Sequence, residues 1–296
     1  MELRLLKYFL MVAQEANFTR AAEKLHLSQP TLSRQLKEME NTYGKDLFIR
    51  RPRQILLTED GLLLKKRAEE ILALVAKTEK ELSSNADDLS GDIHIGSGES
   101  VNFKLLMDTA YHMQQQYPQI HFHIISGDSI TTMSLLDKGL VDFVFGYGRN
   151  DPAKYSEFAL PAKDTWGVIM KKDSPLAVKP YITPSDLYDK PLILSRQAIS
   201  SSTHGDSIKE WLAKPLEELN IVGTYNLLFN GIMMIRANMG YAIAFDNILQ
   251  GYEDELCIRP LMPTVHAEPM LIWKKGHYFS KASQHFLQML KKKISI

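Results

Sequence analysis

The sequence predicts an α/β protein in two parts. An N-terminal winged helix-turn-helix continues into a long linker helix, and a two-lobed α/β domain follows. Three observations carry this prediction. Residues 18–40 encode two short helices meeting at a tight corner, residues 46–58 encode two strands around a basic turn, and from residue 91 short apolar runs alternate with helical segments.

The first helix runs from about Leu3 to Ala16, with Leu6, Phe9, Leu10 and Ala13 as its buried stripe. Thr19 is the expected N-cap of the second helix, and Phe18 before it is placed to act as a staple. Ala21, Ala22 and Leu25 give that helix a small apolar face, and His26-Leu27 makes the corner. Ser28 can cap the third helix, where Pro30 occupies the first turn at little cost because that N–H has no partner anyway. Leu32, Leu36 and Met39 recur at helical spacing and face inward. The opposite face carries Pro30, Arg34 and Lys37, flanked by Gln29, Thr31 and Ser33. Hydrogen-bonding side chains and cations on an exposed helix suit the DNA major groove. The pattern alone fits an ordinary helical hairpin with a solvated polar face equally well.

The next segment separates these readings. Asp46 to Thr58 reads as a wing of two apolar strands, and Arg50, Arg51 and Arg53 at its tip can reach phosphates or an adjacent minor groove. Three arginines in four positions beside a polar helix weigh against a merely solvated hairpin. Residues 1–58 are assigned to this DNA-binding domain.

Thr58 then caps a helix reaching about Leu82. Gly61, Leu64, Ala68, Ile71, Val75, Thr78 and Leu82 alternate spacings of three and four, a heptad seam that predicts a coiled-coil dimer. Ala68 and Thr78 make the seam imperfect. The alternative, a helix packed on its own domain, finds little nearby sequence to cover it. With the polar stretch at 83–91 as a hinge, residues 59–90 form the linker.

The formal net charge is zero, which at first argues against a nucleic-acid binder. Its distribution reverses the argument. Residues 1–58 hold ten Lys/Arg and six Asp/Glu, whereas residues 59–90 hold five and eight. A length of 296 residues allows two or three domains with substantial cores. The single cysteine, Cys257, excludes an intramolecular disulfide, and the charged N-terminus does not resemble a signal peptide. A cytoplasmic protein is expected.

In residues 91–296 the expected strands are 92–96, 120–126, 141–146, 166–170, 191–195, 221–225, 241–245 and 269–274. The expected helices are 101–116, 130–138, 206–213, 227–238 and 281–292. The order implies parallel sheets covered by helices in two lobes, 91–161 with 266–296 and 162–265. Two crossings between them create a hinged cleft. Ligands in such folds bind beyond the carboxyl ends of strands. Those ends are hydroxyl-rich here: Ser97, Glu99, Ser100 and Ser129 in one lobe, and Ser200, Ser201, Ser202 and Thr203 in the other. Asn230 and Phe245 lie near further ends. Helix capping is the competing reading, and the better one for Asp128. The 200–203 cluster is equally compatible with a loop.

The matches Leu6-Lys7-Tyr8-Phe9, Asn17 to Ala22, Leu27 to Ser33, Gly44 to Arg50 and Leu57 to Gly61 form a long ordered set. On these residues the chain resembles the LysR-type transcriptional regulators over essentially its whole length. The resemblance implies a dimerising linker helix and an effector domain like a periplasmic binding protein. It also places a small-molecule cleft at the strand ends above. Implied partners are double-stranded DNA, a small-molecule effector, a second copy of the chain in a homodimer or homotetramer, and the transcription machinery. No membrane and no cofactor are implied. Thr19, Gln29, Pro30, Thr31, Ser33, Arg34, Lys37, Arg50, Arg51 and Arg53 carry over as DNA-binding positions.

Many family members bind carboxylate effectors where Glu99 stands, which a carboxylate facing the cleft would repel. Either Glu99 turns outward, the favoured reading, or the effector carries a cation. Arg149 and Arg196 can pair an anionic effector. Enzyme readings fare poorly: Gly96 to Ser100 is not a nucleophile elbow, His204 beside serines is not a triad, and His121/His123 lack a third metal ligand. There is no Walker loop and no dinucleotide glycine fingerprint.

Overall fold

The computed structural model describes residues 2–51, 54–83, 89–148, 150–199, 206–246, 248–249 and 251–294. The chain divides into two compact units, Met1–Ser83 and Ser84–Ile296.

The first unit contains α1 (Leu3–Glu15), α2 (Phe18–Lys24), α3 (Gln29–Tyr43), β1 (Phe48–Arg51), β2 (Gln54–Leu57) and α4 (Glu59–Ser83). Phe9, Val12, Ala21, Leu32, Leu36 and Phe48 are among the buried residues of its core. The cap of α2 differs from expectation. Asn17, not Thr19, is extended and accepts from the amides of Thr19 and Arg20, so the helix starts two residues earlier and Phe18 points into the core. An Asx side chain caps as well as a threonine hydroxyl. His26 turns the corner at φ 53°, a left-handed conformation. Ser28 caps α3 as expected. The buried Glu40 carboxylate accepts from the amides of Leu47 (2.8 Å) and Phe48 (3.3 Å), tying α3 to the wing.

Thr58 caps α4, accepting from Gly61 N–H at 2.9 Å and donating to Asp46 C=O at 2.7 Å. The predicted seam is only partly free. Gly61 and Ala68 are buried and Leu64 packs on the core of its own unit, because α4 lies against α1. The large apolar residues exposed along its later half are Ile71 (39 %), Leu74 (44 %) and Leu82 (82 %).

The second unit contains, in order, β3 (Gly91–Ser97), α5 (Lys104–Gln116), β4 (Ile120–Ser126), α6 (Ser129–Asp137), β5 (Phe143–Tyr147), β6 (Tyr155–Ala159), β7 (Asp164–Lys171) and β8 (Leu192–Ser195). Then come α7 (Arg196–Ile199), α8 (Asp206–Leu212), β9 (Ile221–Tyr225), α9 (Leu228–Arg236), β10 (Tyr241–Phe245), β11 (Leu256–Pro260), β12 (His266–Ala267), β13 (Pro269–Lys274) and α10 (Lys281–Ile294). One sheet has the order β4-β3-β5-β13-β6, the other β11-β7-β10-β8-β9 with β12 on β7. The sheets are mixed rather than parallel. β13 runs antiparallel to β5 and β6, and β7 antiparallel to β10 and β11, because the chain crosses between lobes and returns reversed. The two crossings pair with each other, Thr165 opposite His266 and Asp164 opposite Ala267. Each lobe has its own core, around Ile93, Ile95, Phe143 and Phe286 in one and Val168, Leu192, Leu194 and Ile243 in the other.

Candidate functional site

Two surfaces concern function: the polar face of α3 with the wing, and the space between the lobes. On the first, Thr19, Gln29, Pro30, Arg34 and Arg51 are exposed, while Thr31 and Ser33 are half-buried. The Thr31 hydroxyl shares a 2.7 Å hydrogen bond with Ser28, so part of its bonding capacity serves the cap. Lys37 is exposed but paired with Glu40 (3.4 Å) and Asp46 (3.2 Å). Arg34 forms no ion pair among the described residues, which leaves its guanidinium fork open on the face expected to read DNA. Arg50 lies in β1 beside Arg51. Arg53 lies outside the described residues.

Between the lobes, beyond the carboxyl ends of β3, β5, β8 and β10, is a cavity of about 60 Å³. Of the predicted ligand residues Glu99, Ser129 and Phe245 line it. Ser97 and Ser100 line an adjoining recess of about 370 Å³ instead. Asn230 lines neither and is exposed on α9, a correction to its assignment. Ser200, Ser201, Ser202, Thr203, His204 and Arg149 lie outside the described residues.

Ser100 is not free to greet a ligand. Its hydroxyl lies 3.0 Å from both carboxylate oxygens of Asp164 and accepts from Asn102 N–H at 2.9 Å. Asp164 is only 2 % exposed, and Tyr147 OH donates to it at 2.6 Å. A buried carboxylate needs such donors, and they come from the opposite lobe. Burial and the Asp164 charge push the Tyr147 phenol up, so it remains a neutral donor. The Ser97 hydroxyl is likewise used, donating to Gly98 C=O at 2.7 Å.

Glu99 overturns the outward reading. Its Oε2 accepts from Leu228 N–H at the start of α9, so it turns inward and caps a helix of the other lobe. A helix N-terminus leaves amides without intrahelical partners, and a carboxylate satisfies one while meeting the positive end of the dipole. Asp128 caps its own helix α6 through Thr131, as expected, and also pairs with Arg196 across the cleft at 2.8 Å from Nε. Burial raises its carboxyl, but the Thr131 bonds and the Arg196 guanidinium outweigh that and hold it below the usual range. Ser129 N–H donates to Gln197 Oε1 at 3.0 Å, a third tie across the cleft.

The sequence reading missed three cavity residues that matter. Tyr147 and Trp166 flank Phe245, with ring centroids at 4.9 and 4.3 Å, and Tyr225 completes an aromatic wall. Trp166 is 6 % exposed, and its buried Nε1–H has no hydrogen-bond partner. Nothing local marks it, since an apolar strand around a tryptophan reads as core. Elsewhere His123 stacks on His94 at 4.7 Å and bonds Asp92 at 3.2 Å. Among the described residues no group of three metal-ligand side chains is placed to hold an ion, and no helix is long and apolar enough to cross a membrane.

A winged helix-turn-helix joined to a two-lobed domain with a cleft is the architecture of a DNA-binding regulator. Residues 3–62 match the bacterial regulatory helix-turn-helix protein, lysR family, and residues 86–295 match the LysR substrate binding domain. The chain belongs to the LysR family of transcriptional regulators. It is 26 % identical over 300 residues to the HTH-type transcriptional regulator BsdA of Bacillus subtilis (strain 168), covering 98 % of this chain and 100 % of the relative. It is 26 % identical over 306 residues to the hca operon transcriptional activator HcaR of Escherichia coli (strain K12), covering 100 % and 99 %. In fold it is similar to full-length CbnR crystallised with its target DNA, at TM-score 0.76 and 18 % identity with 99 % of each chain covered.

Proposed function

We propose that this regulator binds its operator through α3 and the wing, and that a small polar metabolite held between the two lobes modulates that binding. Gln29, Thr31, Ser33 and Arg34 read bases, while Lys37, Arg50, Arg51 and Arg53 position the protein on the backbone. The chain acts in the cytoplasm as a homo-oligomer joined through the exposed later half of α4.

The observation that carries the ligand reading is the space between the lobes itself. It is lined from both lobes by polar and aromatic side chains that converge on one space. Ser129, Phe245 and Trp166 are its contacts, whereas Ser100 acts through Asp164. A ligand alters DNA binding only by preferring one lobe arrangement over another, and a site shared by both lobes supplies that preference. The test is a thermal-shift screen of the full chain against metabolites, with each stabilising compound then added to an operator titration. A stabilising compound that moves operator affinity supports the reading, and stabilisation without any change in DNA binding contradicts it.

A further inference from the structure

The charge of the cavity is specific enough to select among ligands. We infer that the effector carries a cationic group that docks on Glu99 against the aromatic wall. This rests on the reading of the cleft given above. Glu99 and Asp128 are the charged residues lining the space, both acidic, and among the described residues no lysine, arginine or histidine lines it. Asp128 is already neutralised by Arg196 and its charge is spent across the cleft. Among the described residues Glu99 forms no ion pair, and its Oε2 takes the Leu228 amide.

The seats an anion would use are taken. Helix N-termini bind anions through unpaired amides. Here the N-terminus of α6 holds Asp128 and that of α9 holds Glu99. An anionic ligand would meet the Glu99 carboxylate, which no cation among the described residues offsets. A cation meets an uncompensated carboxylate and the rings of Tyr147, Trp166, Tyr225 and Phe245, whose faces attract positive charge. A cavity of about 60 Å³ keeps that ligand small.

Isothermal titration of the full chain with size-matched probes tests this. The cations are 2-aminoethanol, 3-aminopropan-1-ol and choline, and the anions glycolate and 3-hydroxypropionate. At least one cation should bind. Glu99→Gln, which keeps an oxygen for the Leu228 amide, should weaken it roughly ten- to a hundredfold. Glu99→Asp keeps the charge and should retain measurable binding, separating lost charge from lost fold. Binding by none of the cations, or by a cation indifferent to Glu99→Gln, overturns the inference. Anion binding that weakens in Trp166→Phe overturns the charge assignment while leaving a ligand between the lobes. An operator response to metabolite that persists unchanged in Trp166→Phe defeats the cleft reading itself.

Discussion

Arg34 and Lys37 are one helical turn apart on α3, yet the structure sets them different tasks. Lys37 spends its charge on Glu40 and Asp46, whereas Arg34 extends unpaired among the described residues. Arg34→Ala should therefore cost about 1–3 kcal/mol of specific operator binding with little change on mixed-sequence DNA. Quantitative footprinting checks this, and wild-type protection by the variant would remove Arg34 from the base contacts. Residues such as these were legible in the sequence because their signals are local: caps, corner and i, i+3, i+4 spacing lie within 25 positions. Trp166, Tyr147 and Asp164 were not, because Ser100, Tyr147 and Asp164 meet only once the chain has crossed the hinge. Glu99 was misjudged for a related reason. Its partner, the Leu228 amide, lies 129 positions away.

At the scale of elements, α4 shows how a heptad pattern can serve two masters. Its early seam positions were read as a dimer face, but Gly61 lies where an added Cβ would come 2.2 Å from the Leu47 carbonyl oxygen. The same spacing that makes a coiled coil also makes one amphipathic face against α1. Gly to Ala inside a helix ordinarily stabilises by roughly 0.5–1 kcal/mol. Here overpacking against backbone should reverse the sign, and Gly61→Ala should destabilise the N-terminal unit by about 1–3 kcal/mol in urea titration. Unchanged or increased stability would show that α4 does not press on the wing as described. For the later half of α4, Ile71→Asp with Leu74→Asp should reduce the oligomer seen by analytical ultracentrifugation. Both side chains are exposed in the single chain, so its fold should survive. An oligomer unaffected by the pair would place the interface elsewhere. The strands were readable from apolar runs, but their directions were not, since antiparallel β13 and β6 depend on where the chain re-enters a lobe.

At the scale of the whole molecule, three ties cross the cleft: Glu99 to Leu228, Asp128 to Arg196, and Ser129 to Gln197. Glu99, Asp128, Ser129, Gln197 and Leu228 also line the space between the lobes, so the proposed ligand would compete with, or add to, these bonds. The Asp128 tie has a pH signature. Its folded carboxyl titrates below the ordinary value of 3.8, so its stabilisation is present above that value and lost as pH falls through the lower, folded one. Asp128→Asn should melt earlier than wild type at neutral pH by roughly 1–3 kcal/mol, with the gap closing below about pH 4. A gap independent of pH would mean the ion pair carries none of it.

The most direct test of the account is a fluorescence-anisotropy titration of labelled operator, run with increasing amounts of a stabilising metabolite, in wild type and in Trp166→Phe. The account predicts that metabolite shifts the wild-type operator midpoint by about 5- to 150-fold. In Trp166→Phe the metabolite concentration giving half that shift should rise, because the smaller ring leaves part of the aromatic wall missing. A wild-type midpoint that ignores the metabolite, or a response identical in the two proteins, would contradict a regulatory ligand seated between the lobes.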